Sequence, residues 1–261
     1  RGGLDCYNKE TQKFTHFKQE PNNENSLITN NLRKIVLEND SGIWIAYQLN
    51  RPVVSFFSFK DNKFTHYYLD DENDSHYIFD IYRGVNNQLW IMTHEKLYLM
   101  NTKTFEVEKI PYKGSSYLKA QTLCTDGSEN VWIGTIGRGL IRYNIPTSEF
   151  TAYDEILKFN VTSIYSICTD DDNNLWMGTD NGLFKYSRNE DRFFRFDKKD
   201  GVQGQVFYPL AALKGKDGEL YFGGTNGFTI VNPKELTQNK YTPKAFISEF
   251  FIDNQPANPY R

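Results

Sequence analysis

Short segments in which apolar and polar residues alternate run along the chain, separated by turns rich in glycine, asparagine and aspartate. Residues 140–143, 164–168 and 192–196 are typical examples. Alternation of single residues is the pattern of a β-strand with one buried face, and no helical periodicity lies nearby. The aromatic content of 16%, with 17 Tyr and 20 Phe, also suits pleated strands. The pattern therefore predicts an all-β protein built from short antiparallel strands.

A phrase centred on tryptophan repeats along the chain. Val-Trp-Ile-Gly-Thr at 131–135 recurs as Leu-Trp-Met-Gly-Thr at 175–179, and three looser copies complete the series. The central aromatic residues follow one another at steps of 46, 42, 44 and 45 residues: Trp44, Trp90, Trp132, Trp176 and Tyr221. Each copy has an alternating segment before it and most have a glycine turn into another strand after it. Four strands in about 44 residues is the length of a propeller blade, whereas a β-sandwich would show no such strict period.

We therefore predict a β-propeller of four-stranded antiparallel blades, of which the chain holds a partial set of about five to six. Residues 1–233 form the blades, with partial first and last ones, because residues 1–17 supply only two strands. Residues 234–261 are predicted to be a linker and the first strand of a following immunoglobulin-like domain, or a closing strand. The start at Arg1, without an initiator methionine or signal-peptide pattern, is expected of a segment of a longer protein.

Composition and charge narrow the range of partners. The net charge is −3 and no run of lysine and arginine is present, so nucleic acid is not an expected partner. No apolar window approaches the roughly 18 residues that span a bilayer, so no membrane contact is expected for this segment. The three scattered cysteines predict neither a disulfide framework nor a zinc site. No cofactor is expected, since no phosphate-binding glycine loop or catalytic motif appears.

One repeat carries a family resemblance. Asn-Leu-Trp-Met-Gly-Thr-Asp-Asn-Gly-Leu-Phe-Lys-Tyr at 174–186 resembles the two-component-regulator propeller repeat found in the sensor regions of Bacteroides-type hybrid histidine kinases. Residues 217–233 are similar to the last blade of those sensors, and residues 243–254 to the opening strand of the tyrosine-rich immunoglobulin-like domain that follows. The resemblance implies a periplasmic sensor region of an inner-membrane protein, a homodimer when intact, that detects oligosaccharides and regulates polysaccharide utilisation. It implies no enzyme activity for this segment.

Candidate ligand contacts lie in loops. In a propeller, the loops joining the second strand to the third share one face with the connections between blades, and this is the usual binding face. An oligosaccharide site needs aromatic platforms together with planar polar or charged groups. Residues that offer this mixture, and that we expect to converge, are Tyr47, Arg51, His94, Arg138, Asp180 and Tyr208.

Other conspicuous residues are expected to be structural. The tryptophans repeat too regularly for sugar platforms and are predicted to form the core between blades, and Cys124 and Cys168 to pack near the axis. The aspartates at 70–74 and 170–172 are predicted to be turn residues, although a carboxylate pair could serve glycan hydrolysis. Two other functions remain open. A propeller lyase or hydrolase predicts a catalytic constellation at the axis, and an interaction scaffold predicts a broad apolar patch without a pocket.

Overall fold

The computed structural model describes residues 2–69, 76–112, 118–127, 129–236, 251–252 and 255–256. These residues form antiparallel strands and two short 3₁₀ helices, Glu155–Phe159 and Lys198–Asp200. The prediction of an all-β fold is confirmed.

Four sheets of four strands follow one another along the chain, each with its strands hydrogen-bonded in chain order. Blade 1 consists of β3 (Leu32–Glu38), β4 (Gly42–Tyr47), β5 (Val53–Ser58) and β6 (Lys63–Tyr68). Blade 2 consists of β7 (Ile78–Arg83), β8 (Gln88–Thr93), β9 (Leu97–Asn101) and β10 (Val107–Ile110). Blade 3 consists of β11 (Ala120–Thr125), β12 (Asn130–Thr135), β13 (Leu140–Asn144) and β14 (Glu149–Tyr153). Blade 4 consists of β15 (Ile164–Thr169), β16 (Leu175–Thr179), β17 (Gly182–Ser187) and β18 (Arg192–Phe196).

Shorter sheets stand at both ends. The pair β1 (Leu4–Asn8) and β2 (Lys13–Phe17) precedes blade 1. Blade 5 has three strands in the described part of the chain: β19 (Phe207–Lys214), β20 (Leu220–Gly224) and β21 (Gly227–Val231). A hairpin is formed by β22 (Phe251–Ile252) and β23 (Gln255–Pro256). The segment 243–254, predicted as an opening or closing strand, lies mostly outside the described residues.

The first strands of the blades, β3, β7, β11, β15 and β19, are neighbours in that order. They line the inner edge of an arc of blades, and the fourth strands lie outside. This is the arrangement of a β-propeller, as predicted.

The four tryptophans lie in the second strands and are buried against the blade that follows. Trp44 of blade 1 packs in a cluster with Ile81 of blade 2, and Trp132 of blade 3 packs with Met177 of blade 4. The other two tryptophans make the same junction with blades 3 and 5. Truncating a buried residue of this size costs about 3–5 kcal/mol. The prediction that the tryptophan series is the core between blades is confirmed.

An acidic side chain accepts a hydrogen bond from the indole N–H in three of the four tryptophan blades. The bonds are Trp44 to Glu38 at 2.8 Å, Trp132 to Asp126 at 2.9 Å and Trp176 to Asp170 at 2.9 Å. Asp170 also accepts from the backbone N–H groups of Asp172 at 3.0 Å and Asn174 at 2.8 Å, so one carboxylate closes the turn and fixes the indole. In blade 2 the equivalent residue is Gly84, and the indole N–H of Trp90 has no hydrogen-bond partner among the described residues.

Backbone hydrogen bonds tie the loops between second and third strands to the connections between blades. Gly137 N donates to Thr162 O at 2.6 Å, and Gly182 N donates to Gln205 O at 2.6 Å. Asp180 accepts from the N–H groups of Thr162 at 3.0 Å and Ser163 at 3.2 Å, and also from the Thr162 hydroxyl. Both sets of loops therefore lie on one face, as predicted, and we call this the loop face.

The aspartate before the tryptophan should contribute substantially to stability. Replacing Asp170 by Ala leaves the indole N–H and two turn N–H groups without their acceptor, so we expect the free energy of unfolding to fall by about 2–3 kcal/mol. Chemical denaturation of the chain measures the change. The exposed Asp172 of the same turn is the control, and Asp172→Ala should stay within about 0.5 kcal/mol. Equal losses for the two variants would contradict this role.

Asp180 should behave as a structural residue as well. Asp180→Ala removes the acceptor of the Thr162 and Ser163 N–H groups, and we expect a loss of about 1–2 kcal/mol in the free energy of unfolding. Asp154 is a suitable control because it is exposed and its side chain makes no capping hydrogen bond. An unchanged unfolding midpoint for Asp180→Ala would show that the carboxylate is free to serve another purpose.

Candidate functional site

Each of the five inner strands carries a β-bulge close to its first residue on the loop face. The pairing register slips by one residue between Leu32 and Lys34 in β3, and at the corresponding points of β7, β11 and β15. In β19 the irregularity is longer and runs from Phe207 to Ala212. A bulge leaves its extra residue out of the ladder and redirects a side chain, which is why bulges are frequent beside binding sites. The large planar side chains at these bulges define what we call the bulge row: Arg33, Phe79, Gln121, Tyr165 and Tyr208.

The first two members of the bulge row contact each other between blades 1 and 2. Arg33 Nε donates to Phe79 O at 3.0 Å, and the guanidinium carbon lies 5.6 Å from the centroid of the Phe79 ring. Arg33 forms no ion pair with any carboxylate of the described chain, because neighbouring Asp80 is bound by Lys34. Burial lowers the pKa of Arg33, and the charge of Asp80 opposes this effect. The arginine is thus half-buried without an anionic partner, and its terminal nitrogens are available.

Asp80 fixes the inner strands β3, β7 and β11 relative to one another, next to the contact between Arg33 and Phe79. The side chain is buried, and its Oδ2 accepts from Thr122 Oγ1 at 3.0 Å and from Leu123 N at 2.8 Å. Because Lys34 binds the other oxygen, one carboxylate of blade 2 joins blades 1 and 3. The bulge row therefore stands on a rigid base, which favours a preformed site.

A small cavity opens beside Phe79. Its volume is about 160 Å³ and its lining residues are Arg33, Gln48, Tyr77, Ile78 and Phe79. Cavities of about 150 Å³ accept a single six-membered ring. The His94 ring lies 5.3 Å from that of Phe79, and its buried Nδ1 makes no hydrogen bond. The cavity therefore offers a guanidinium, an amide and two aromatic rings to a ring-sized group, with a histidine next to it.

Five of the six residues predicted from the loops, all but Tyr47, lie at least partly exposed on the loop face. Tyr208 is 53% exposed and belongs to the bulge row, and half-buried His94 contacts Phe79. Arg51 stacks on Tyr68, with the guanidinium carbon 4.1 Å from the ring centroid. Arg138 Nη1 lies 3.4 Å from the hydroxyl of Tyr112. Only Tyr208 and His94 are thus placed in or beside the bulge row.

One of the predicted contacts needs correction. Tyr47 is not an exposed platform, because it is the last residue of β4 and is buried with Val53 in the core. Its hydroxyl donates to Ser55 Oγ at 2.8 Å, and burial raises its pKa. Asp180 is half-exposed and its carboxylate accepts from the N–H groups of the preceding connection. A ligand contact at Asp180 stays a prediction.

The sequence analysis missed four members of the bulge row: Arg33, Phe79, Gln121 and Tyr165. A signal for them exists in the repeats. The second residue of each inner strand is large and planar, and it interrupts the alternation of the apolar residues around it. Aligning the strands on their tryptophan partners would have revealed the extra residue.

The side chains of the bulge row can bind sugars, since aromatic faces, an amide and a guanidinium suit rings and hydroxyl groups. Tyrosine can also act in acid–base catalysis, so the composition of the row alone does not separate binding from catalysis. Within the described ranges, no group of three His, Cys, Asp or Glu side chains could hold a metal ion. No helix in that part of the chain is long and apolar enough to cross a membrane.

Comparisons with known proteins show similarity to sensors of two-component systems. Residues 158–181 match the family described as two component regulator propeller. The chain is 24% identical over 253 residues to histidine kinase P4 of Formosa agariphila. The alignment covers 95% of this chain and 15% of that protein. The extracellular domain of the hybrid two component system BT3049 from B. thetaiotaomicron superposes with a TM-score of 0.69 at 23% identity, covering 88% of this chain and 30% of that domain.

An enzyme shares the fold. A streptogramin B lyase superposes with a TM-score of 0.64 at 20% identity, covering 85% of this chain and 70% of the lyase. At such identities the superpositions establish the propeller architecture only. The resemblance stated from the repeats is confirmed by the family match, which falls on residues 158–181, from the connection between blades 3 and 4 through the second strand of blade 4.

Proposed function

We propose that the chain is a ligand-recognition segment in the periplasmic sensor region of a hybrid two-component histidine kinase, and that the bulge row contacts an oligosaccharide. The similarity to a histidine kinase and to an extracellular domain of a hybrid two component system supports the sensor role. The chain spans 15% of the kinase and 30% of the extracellular domain, so the kinase activity belongs to the proposal for the whole protein.

The observation that carries the proposal is the bulge row itself. Four consecutive inner strands place planar side chains at equivalent bulges on one face, and Tyr208 follows at the longer irregularity of the fifth. The aromatic members suit the apolar faces of sugar rings and the guanidinium of Arg33 suits hydroxyl groups, while Gln121 is only 8% exposed and lies at the base of the row. Because successive members belong to successive blades, an extended chain of sugars would contact several of them at once.

Signal transmission is explained by a ligand that contacts several blades at once. Such a ligand binds best to the sensor conformation in which all of these contacts are made, and it therefore shifts the population toward that conformation. The change passes to the C-terminal neighbour of the propeller in a homodimeric sensor. This part of the proposal concerns the intact protein, with ligand binding as its input.

The alternative functions differ in what happens to the ligand. A lyase or hydrolase would release cleaved product, and the fold shared with streptogramin B lyase makes this test necessary. An interaction scaffold would bind no oligosaccharide at all. A sensor binds its ligand and releases it unchanged.

The bulge row can be tested by substitution in the complete extracellular region. A panel of oligosaccharides is screened by thermal shift, and the best binder is titrated by calorimetry. We expect Arg33→Ala and Tyr208→Ala each to weaken binding about tenfold, because each removes a direct contact. Tyr7→Ala, at an exposed tyrosine of β1, is the matched control and should bind normally.

The outcomes separate the hypotheses. Saturable binding that both variants weaken, with the sugar recovered intact, supports the proposal. Normal binding by both well-folded variants would exclude the bulge row as the site. Recovery of cleaved sugar would favour an enzyme, and the absence of binding to every member of the panel would favour an interaction scaffold.

A further inference from the structure

A second cleft opens between blades 1 and 2 at the end of the blades opposite the loop face. Its volume is about 730 Å³. The turns between third and fourth strands contribute Phe59 and Lys60 from blade 1, and Lys103 and Phe105 from blade 2, while Asn87 comes from the turn between β7 and β8. We call it the hairpin cleft. It shares none of its lining residues with the bulge row.

Phe105 occupies a backbone conformation that disfavours it. The turn that joins the third strand of a blade to the fourth ends with a residue of positive φ. These residues are Gln12, Asn62, Phe105, Ser148 and Asp191. Asparagine and aspartate tolerate this left-handed region, and a large aromatic residue is uncommon there. Blade 2 alone among these hairpins places a phenylalanine at this position, with φ of 62°. The conformation of the turn therefore does not explain why a phenylalanine occupies position 105.

The Phe105 ring is only partly used in packing. It stacks on Tyr67 of blade 1, with centroids 4.9 Å apart and planes at 21°, yet the residue is 43% exposed. Phe59 in the blade 1 hairpin is 44% exposed. Strained backbone positions cluster at binding sites, where the surrounding structure maintains them. Two partly exposed phenylalanines thus line one cleft, and one of them is held there against its backbone preference.

The charges of the hairpin cleft favour an anionic ligand. Glu38, which also lines it, is bound by Arg83 through Nε at 2.6 Å and Nη2 at 2.8 Å, so its charge is compensated. Lys60 and Lys103 form no ion pair with the part of the chain that the structure describes. Asp40 is the remaining acidic residue of the lining. Two ammonium groups therefore face one uncompensated carboxylate.

We propose that the hairpin cleft is a second carbohydrate site, which binds an acidic oligosaccharide. The exposed faces of Phe59 and Phe105 contact the apolar faces of the sugar rings, and Lys60 and Lys103 bind carboxylate or sulfate groups on them. The side-chain amide of Asn87 and the hydroxyl of Ser58 form hydrogen bonds with the sugar hydroxyls. The cleft binds its ligand independently of the bulge row.

Phe105→Asn tests the aromatic contact without disturbing the turn. Asparagine occupies the same position in blade 1 and tolerates positive φ, so the midpoint of thermal unfolding should be unchanged or higher. The complete extracellular region carrying Arg33→Ala and Tyr208→Ala isolates the cleft from the bulge row. In this background we expect Phe105→Asn to weaken binding of an acidic hexasaccharide about tenfold. Phe228→Asn, at another exposed phenylalanine, is the matched control and should bind normally.

Charge is tested separately with three hexasaccharide probes: a uronate, a sulfated sugar and a neutral one. Lys60→Gln and Lys103→Gln should weaken binding of the acidic probes only, and binding should weaken as the salt concentration rises above about 0.1 M. Comparison of the uronate and the sulfated probe identifies which anionic group the cleft prefers.

Three results would overturn the proposal. The first is unchanged affinity for the acidic probes in Phe105→Asn together with a lower unfolding midpoint, which would make the ring purely structural. The second is equal affinity for the neutral probe. The third is equal binding of an aspartate-rich peptide of the same charge, which would mean that the cleft recognises charge alone. A failure of the bulge row leaves all three tests unaffected, because both of its tested residues are already replaced.

Discussion

The contact between each tryptophan and the following blade is the interaction on which the rest of the architecture depends. A single four-stranded sheet cannot bury both of its faces, so each blade needs its neighbour. The indole fills the space between two sheets, and in three blades an acidic side chain fixes its orientation through the N–H. The same carboxylate can also satisfy the turn that leads into the tryptophan strand. Packing and turn geometry are thus specified by one repeated pair of residues.

Because this framework is rigid, the two proposed sites can differ in chemistry without differing in fold. The inner strands vary at the bulges, where the side chain leaves the ladder, and the hairpins vary at a position whose backbone is fixed by the turn. Phe79 packs against the cluster that contains Trp90, whereas Arg33, Tyr208 and Phe105 belong to none of the tryptophan clusters. Side chains at most of these positions can therefore change from blade to blade at little cost in stability.

Most of the fold followed from the sequence, and most of the site did not. The tryptophan period and the alternation around it predict strands, blades and the core between them, since burial imposes those patterns on the sequence. The exposure of a side chain depends on how the blades pack together. It determines which of the predicted residues could contact a ligand. Tyr47 is the last residue of its strand and is buried, whereas Tyr208 lies in the register irregularity of β19 and is exposed. The bulges escaped notice because one extra residue hardly disturbs a short alternating segment.

Blade 2 departs from the repeat in a way that bears on how the protein opens. With Gly84 in place of the acidic residue, the junction between blades 2 and 3 retains the packing of Trp90 but lacks the hydrogen bond to its indole. Propeller arcs are stabilised mainly by nearest-neighbour interfaces, so differences between junctions persist in the native state. The missing bond lies within blade 2, and the bonds from Asp80 to Thr122 and Leu123 still resist separation of blades 2 and 3. One glycine in a turn thus leaves the orientation of an indole to packing alone, so local opening of that turn costs less than it does in the other blades.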